Sequence, residues 1–147
     1  MNISLACDHG GLALKQAVKQ HLEKLGHQVE DFGTHTSDSC DYAMFAQRAA
    51  KAVVSGECER GIVMCGTGIG VSITANKVKG IRCALCSDPL SARLTREHND
   101  SNMLAFGQRI IGSEMAKEIV NVWLGTPFSN GERHIQRIRK VMAIEEE

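Results

Sequence analysis

What this sequence lacks narrows it first. It has no excess of either charge, because 17 lysines and arginines balance 17 aspartates and glutamates. No net field draws it to nucleic acid or to an anionic membrane, and any anion site must be local. It has no apolar run near the ~18 residues of a membrane span, and "NISLAC" (Asn2 to Cys7) follows Met1 without a basic region or a small-residue cleavage site. The chain reads as soluble and cytoplasmic. Aromatic residues are only 4% of the total. The glycine-rich loops hold none of them for stacking, which weighs against a non-catalytic flavin- or nucleotide-binding module. No linker, low-complexity tract or full-length repeat interrupts the 147 residues, so residues 1–147 read as one domain. The six cysteines sit in a chain with ample apolar residues for a core, so free thiols are expected rather than a disulfide scaffold.

What is present alternates. "ISLAC" (Ile3 to Cys7) is an apolar run ended by "DHGG", and Leu12 to Leu25 then takes helical spacing through Leu14, Val18, Leu22 and Leu25. Gly26 closes that helix, "HQVEDFG" reads as a short strand, and Asp41 to Gly56 as a second helix. The unit repeats with strand "GIVMC", helix "GIGVSITANKV", strand "IRCALC" and helix "DPLSARLTREHN", whose first turn holds Pro89. "MLAFG" is a fifth strand, followed by helix "SEMAKEIVNVWLG" and a C-terminal helix across "ERHIQRIRKVMAIEEE". This alternation predicts an α/β fold: a doubly wound parallel five-stranded sheet with helices on both faces. The expected strand order is 2-1-3-4-5. Ligands in such sheets sit beyond the carboxyl ends of the strands where the order reverses, which here means the loops "CDHGG" and "CGTGIG".

The second loop contains Cys65. A low-molecular-weight phosphatase loop needs an arginine six residues after its cysteine, and that position is Val71. A nucleoside-triphosphate loop needs Gly-Lys-Ser/Thr, and Gly70 is followed by Val71 and Ser72. A dinucleotide fingerprint has different glycine spacing and belongs to the first strand. A metal site would need a second pair beside Cys83 and Cys86, which stand three apart on opposite faces of a strand and read as core, like Cys7. Cys40 and Cys58 read as incidental. Cys65 ends a strand and precedes a helix whose first amides favour a thiolate. A buried structural cysteine is the alternative. The neighbours favour function: Gly66, Gly68 and Gly70 let backbone amides, Ile69 among them, approach an oxyanion, and Thr67 adds a hydroxyl. A base beside an anion hole is equipment for removing a proton next to a carbonyl.

Other polar residues fall around this centre. Asp8 and His9 follow the first strand and should face the same crevice, with helix capping as the alternative for Asp8. Tyr42, the sole tyrosine, either lines the pocket or packs. "HNDSN" (His98 to Asn102) has the look of a solvated turn. It should lie away from the crevice, so a catalytic His98 would have to reach the site of another subunit, and a dimer with shared sites follows as an expectation. Arg109 follows the fifth strand, while Arg133 and Arg137 share a face of the final helix beside His134. Converging, the three arginines would clamp a phosphate. His21, His27 and His35 read as surface residues.

Taken together, "CDHGG", "DYAMFA", "CGTGIG", "ANK", "GIRCAL", "REHNDSNMLAFGQRIIG" and "RHIQRI" resemble the type B ribose-5-phosphate isomerase family, which is related to the galactose-6-phosphate isomerase subunits. The likeness extends over nearly the whole chain. It implies a Rossmann-like sheet, a homodimer with sites built from both chains, and homotetramers in some members. It implies a sugar-phosphate substrate and no metal or cofactor. The implied reaction interconverts ribose 5-phosphate and ribulose 5-phosphate in the pentose phosphate pathway, with allose or galactose 6-phosphate as alternative substrates. By the same resemblance Cys65 is the base that moves a proton between C1 and C2, and Thr67 with the amides of Gly66 to Gly70 holds the enediolate oxygen. Asp8 and His9 correspond to the sugar-binding and ring-opening pair, His98 to the ring-opening acid, and Asn99 to a contact with the sugar hydroxyls. Arg109, Arg133 and Arg137 correspond to the phosphate ligands, with His134 assisting.

Overall fold

The computed structural model describes residues 1–147. Its strands are β1 (Asn2–Cys7), β2 (Gln28–Asp31), β3 (Arg60–Cys65), β4 (Cys83–Leu85) and β5 (Met103–Gly107). Its helices are α1 (Leu12–Lys24), α2 (Tyr42–Val54), α3 (Ile69–Asn76), α4 (Pro89–Asn99), α5 (Ser113–Gly125) and α6 (Glu132–Ala143). All strand pairs are parallel, and the sheet order is β2-β1-β3-β5-β4. The expected parallel α/β architecture is present. The last two strands are exchanged relative to the order 2-1-3-4-5.

The exchange has a physical reason. β5 is buried at all five positions, "MLAFG", and such a strand needs neighbours on both edges. β4 keeps only three paired residues of the six in "IRCALC" and stays partly exposed, as an edge strand does. Periodicity marked both as strands, whereas burial on two edges decided which lies inside. The consequence reaches the site. β3 and β5 pair from Gly61 with Met103 up to Cys65 with Gly107, and just beyond, the Arg109 amide donates to the Gly66 carbonyl at 2.9 Å. Arg109 therefore leaves the sheet directly beside the loop after Cys65.

Alternation along the strands builds two cores. Ile3, Leu5, Cys7, Ile62, Met64, Leu104 and Phe106 face α1, α4 and α5, with Leu14, Val18, Ile119 and Trp123 against them. Ala6, Val63, Cys65, Met103 and Ala105 face the alanine-rich side of α2 and Val71 and Ala75 of α3. Small alanines let α2 lie close to the sheet. Trp123 is fully buried and its indole N–H donates to Ser101 Oγ at 2.9 Å, which removes the cost of burying that donor. All six cysteines are unpaired. Burial pushes the Cys7 thiol up to about 12 and those of Cys58 and Cys86 up to about 11, and it raises Cys83 as well. Cys83 and Cys86 belong to opposite cores, as their spacing requires. No helix is long and apolar enough to cross a membrane.

Candidate active site

The strand order reverses between β1 and β3, and the loops after those two strands meet there. A turn of 3-10 helix, His9–Gly11, follows β1, and Asp8 caps it by accepting from the Gly10 amide at 2.9 Å. The capping alternative for Asp8 is thus realised, with the residue 7% exposed at the crevice. Next to it, a Cβ placed on Gly10 would lie 3.2 Å from the Gly66 nitrogen, so the two glycine turns pack backbone to backbone.

Cys65 ends β3 and is 6% exposed. The chain then turns through Gly68, whose φ of 80° lies in the left-handed region that glycine adopts without strain. That turn aims the Gly68 amide back at Cys65, donating to Sγ at 3.1 Å, a bond that strengthens when the sulfur is a thiolate. Thr67 Oγ1 accepts from the Ile69 amide at 3.2 Å, which leaves its own hydroxyl hydrogen free to donate outward. Two loop amides therefore already have partners, those of Gly68 and Ile69, and any oxyanion cradle draws on the remaining donors of the loop. Tyr42 opens α2 and its ring lies against Gly70, where a Cβ would stand 2.6 Å from the ring carbons. The Arg109 side chain lies beside Gly66, 3.5 Å from where a Cβ would stand.

His9 is exposed, and its Nδ1 accepts from the Cys40 amide at 3.2 Å. An imidazole that accepts at Nδ1 carries its proton on Nε2. Cys40 read as incidental in the sequence, yet its backbone orients His9, a candidate site residue. The loop bearing Cys40 is anchored by Lys15, which is 1% exposed, pairs with Asp31 at 2.8 Å and donates to the Thr34 carbonyl. Sequence reasoning missed this lysine. The signal was its register, since Lys15 stands three and seven residues before the core positions Val18 and Leu22.

A second cluster lies at the opposite end of the sheet. His98 and Asn99 occupy the last turn of α4, before β5 begins. The His98 ring stacks on that of His134 with centroids 4.4 Å apart. His98, Asn99, His134 and Arg137 line one cavity of about 770 Å³ with Arg82, Asn102's neighbour Ser101, and Met142. Arg133 shares the exposed face of α6 with Arg137, and burial together with the charges of His98, Arg133 and Arg137 holds His134 below the usual histidine range. The length of β5, at ~3.3 Å per residue, separates this cluster from Cys65 by roughly 15 Å. One chain thus divides the expected residues into two half-sites. Asp8, His9, Tyr42, Cys65, Thr67, the glycines and Arg109 make one, and His98, Asn99, Arg133, His134 and Arg137 the other. His21 meets Asn121 Oδ1 at 2.6 Å, His27 meets the N-terminal amine at 3.1 Å, and His35 is exposed 4.0 Å from Asp31, all remote from the cavity. No three His, Cys, Asp or Glu side chains gather to hold a metal ion.

The family model described as Ribose/Galactose Isomerase matches residues 3–141. Ribose-5-phosphate isomerase B of Escherichia coli is 49% identical over 144 residues, covering 98% of this chain and 96% of that protein. The structure of Clostridium thermocellum ribose-5-phosphate isomerase B superposes with a TM-score of 0.97 at 51% identity, covering 99% of this chain and 98% of that one. The Mycoplasma genitalium ribose-5-phosphate isomerase B structure, with bound ribulose-5-phosphate, superposes with a TM-score of 0.94 at 38% identity, covering 99% and 97%.

Proposed function

This chain belongs to the ribose/galactose isomerase family, and on that premise we propose that it interconverts ribose 5-phosphate and ribulose 5-phosphate. The observation that carries the chemistry is a single loop at the β1/β3 fork, which holds a thiol, an amide donating to that thiol, and further donors beside it.

The closed sugar has no carbonyl to acidify its C2 hydrogen, so ring opening comes first and needs an acid and a base. His98 protonates the ring oxygen while Asp8 and His9 hold and deprotonate the anomeric end, and Asn99 binds sugar hydroxyls. Cys65 then takes the C2 proton of the open aldose, and the electrons move onto the C1 oxygen as the enediolate forms. The free amides of residues 66, 67 and 70 and the Thr67 hydroxyl stabilise that oxygen, each contributing on the order of a few kcal/mol. Cys65 returns its proton to C1, the proton on O2 shifts to O1, and the ketose is complete. Arg109, Arg133 and Arg137, assisted by His134, grip the phosphate and keep the carbon chain in register throughout.

We read the two half-sites as completed across two copies of the chain. A homodimer lets His98, Asn99 and the α6 arginines of one copy complete the Cys65 centre of the other. Ile69 and Ile73 on α3 and Leu85 on β4 are 49%, 56% and 42% exposed, an apolar surface next to the Cys65 loop that suits such an interface. Tetramers formed by pairing dimers are compatible with this arrangement. The six unpaired thiols suit a reducing compartment, in keeping with a cytoplasmic enzyme.

The test measures initial rates on ribose 5-phosphate, allose 6-phosphate and galactose 6-phosphate in the presence of chelator, with Cys65→Ala beside the unaltered protein. Ribose preference that survives chelation and disappears with the thiol supports substrate and base together. Preference for a six-carbon sugar keeps the chemistry and changes the substrate, and normal turnover by Cys65→Ala removes the thiol from the mechanism.

A further inference from the structure

The turn His98 to Asn102 is more heavily built than a solvated turn needs to be. The last carbonyls of a helix have no partner within it. At the end of α4 they are met by the guanidinium of Arg82: Nε donates to the Asn99 carbonyl at 2.9 Å and Nη2 to the Asp100 carbonyl at 2.8 Å. Nη1 reaches the other way, to Met142 Sδ on α6 at 3.3 Å. Asp100 has φ of 45° and ψ of 46°, a left-handed conformation that aspartate tolerates better than most residues. Its carboxylate lies between two arginines, 2.8 Å from Arg96 Nη1 and 3.7 Å from Arg82 Nη2. Arg96 also donates to the Ser101 carbonyl at 2.7 Å, and the Asn102 side chain accepts from the Arg82 amide at 2.8 Å and donates to the Gly80 carbonyl at 2.8 Å. Every nitrogen of the Arg82 guanidinium has a partner inside the chain, so its role differs from that of a free phosphate ligand.

We infer that Arg82 is a positioning residue. It locks the last turn of α4, which carries His98 and Asn99, to α6, which carries His134 and Arg137. The inference rests on the isomerase reading above only for what those four residues do. The link between the helices stands on geometry alone. A planar fork can serve two helix-end carbonyls and a third acceptor at once. A lysine ammonium keeps the charge and loses that shape. The stacking of His98 on His134 is the direct record of the register that Arg82 sets.

The test compares the unaltered full-length protein with Arg82→Lys and Arg82→Ala. Two quantities are read: the NMR signals of the His98 and His134 ring protons, which sense each other's ring currents, and kcat on ribose 5-phosphate. In Arg82→Lys both ring signals should move and kcat should fall by at least about tenfold, as expected for misplaced catalytic groups. In Arg82→Ala, added guanidinium ion should restore part of kcat and return the signals, while methylammonium should not. Should both variants fail to fold, Asp100→Asn, which keeps the left-handed backbone and removes the charge between the arginines, should move the ring signals in the same sense. Unmoved ring signals in the folded variants, or kcat within about twofold of the unaltered enzyme, would overturn the inference. If the unaltered protein turned over no sugar phosphate while the signals moved with Arg82, the link between the helices would stand and the isomerase reading would fall.

Discussion

The imidazole rings of His98 and His134 stack with their planes 14° apart, although the two residues come from different helices. Burial first, and then the positive neighbours His98, Arg133 and Arg137, keep His134 below the ordinary histidine range. Between that depressed value and the ordinary one near 6.5, the unfolded chain binds more protons than the folded one. This contribution to stability is therefore complete above the ordinary histidine range and is lost as pH falls through it toward the folded value. Urea unfolding from pH 7 down to pH 5 should show a decline that is shallower in His134→Asn, and equal slopes would remove His134 as its source.

Two inactive proteins should restore each other if the half-sites join across copies. Cys65→Ala and His98→Asn lie on opposite ends of the sheet, so a mixed dimer carries one site with both defects and one with neither. Random exchange of subunits should recover up to about a quarter of full activity, because half the dimers are mixed and each has one intact site. Persistent inactivity after demonstrated exchange would argue that each chain completes its own site.

Arg137 lines the His98 cavity from α6 with a side chain free for an anion. Replacing it with methionine should raise KM for ribose 5-phosphate by about 10- to 100-fold, the loss of one charged hydrogen-bonding partner. The rate with unphosphorylated ribose should be unchanged. An equal loss on both sugars would place Arg137 elsewhere in the mechanism.

Gly68 carries the amide that donates to Cys65, and its left-handed turn leaves no room for a side chain. A Cβ there would stand 2.6 Å from the Phe106 carbonyl carbon and 2.7 Å from Leu85. Gly68→Ala should cost roughly 1–3 kcal/mol of stability from backbone strain alone, and crowding adds to this. Its activity should fall by more than its stability explains, because the amide moves with the turn. Thermal unfolding together with kcat on the folded fraction separates the two effects.

How much of this was legible beforehand differs from one residue to the next. The boundaries of β5 and α5 matched their apolar patterns residue for residue, because both elements are bounded by polar or glycine residues and buried along one continuous register. The turn after β3 was legible from its three glycines, because Gly68 takes a left-handed φ of 80° that other residues adopt only under strain. Lys15 and Arg82 were not legible as anchors, since a lysine on a helix and an arginine before a strand usually face water. Their partners, Asp31 and the carbonyls of Asn99 and Asp100, stand 16 to 18 residues away in the chain.

By itself the sequence determined the alternation of strands and helices, the parallel sheet that such alternation demands, and the chemical types gathered near the strand ends. These are consequences of local periodicity and of backbone sterics at glycine. Only the tertiary structure decided that β5 lies inside β4, which brings Arg109 beside the Cys65 loop, and that His98 and His134 stack at the far end of the sheet. Strand neighbours are chosen by the burial of whole edges, and helix ends meet through contacts that close only when distant segments pack. No window of sequence contains the two partners of such a choice.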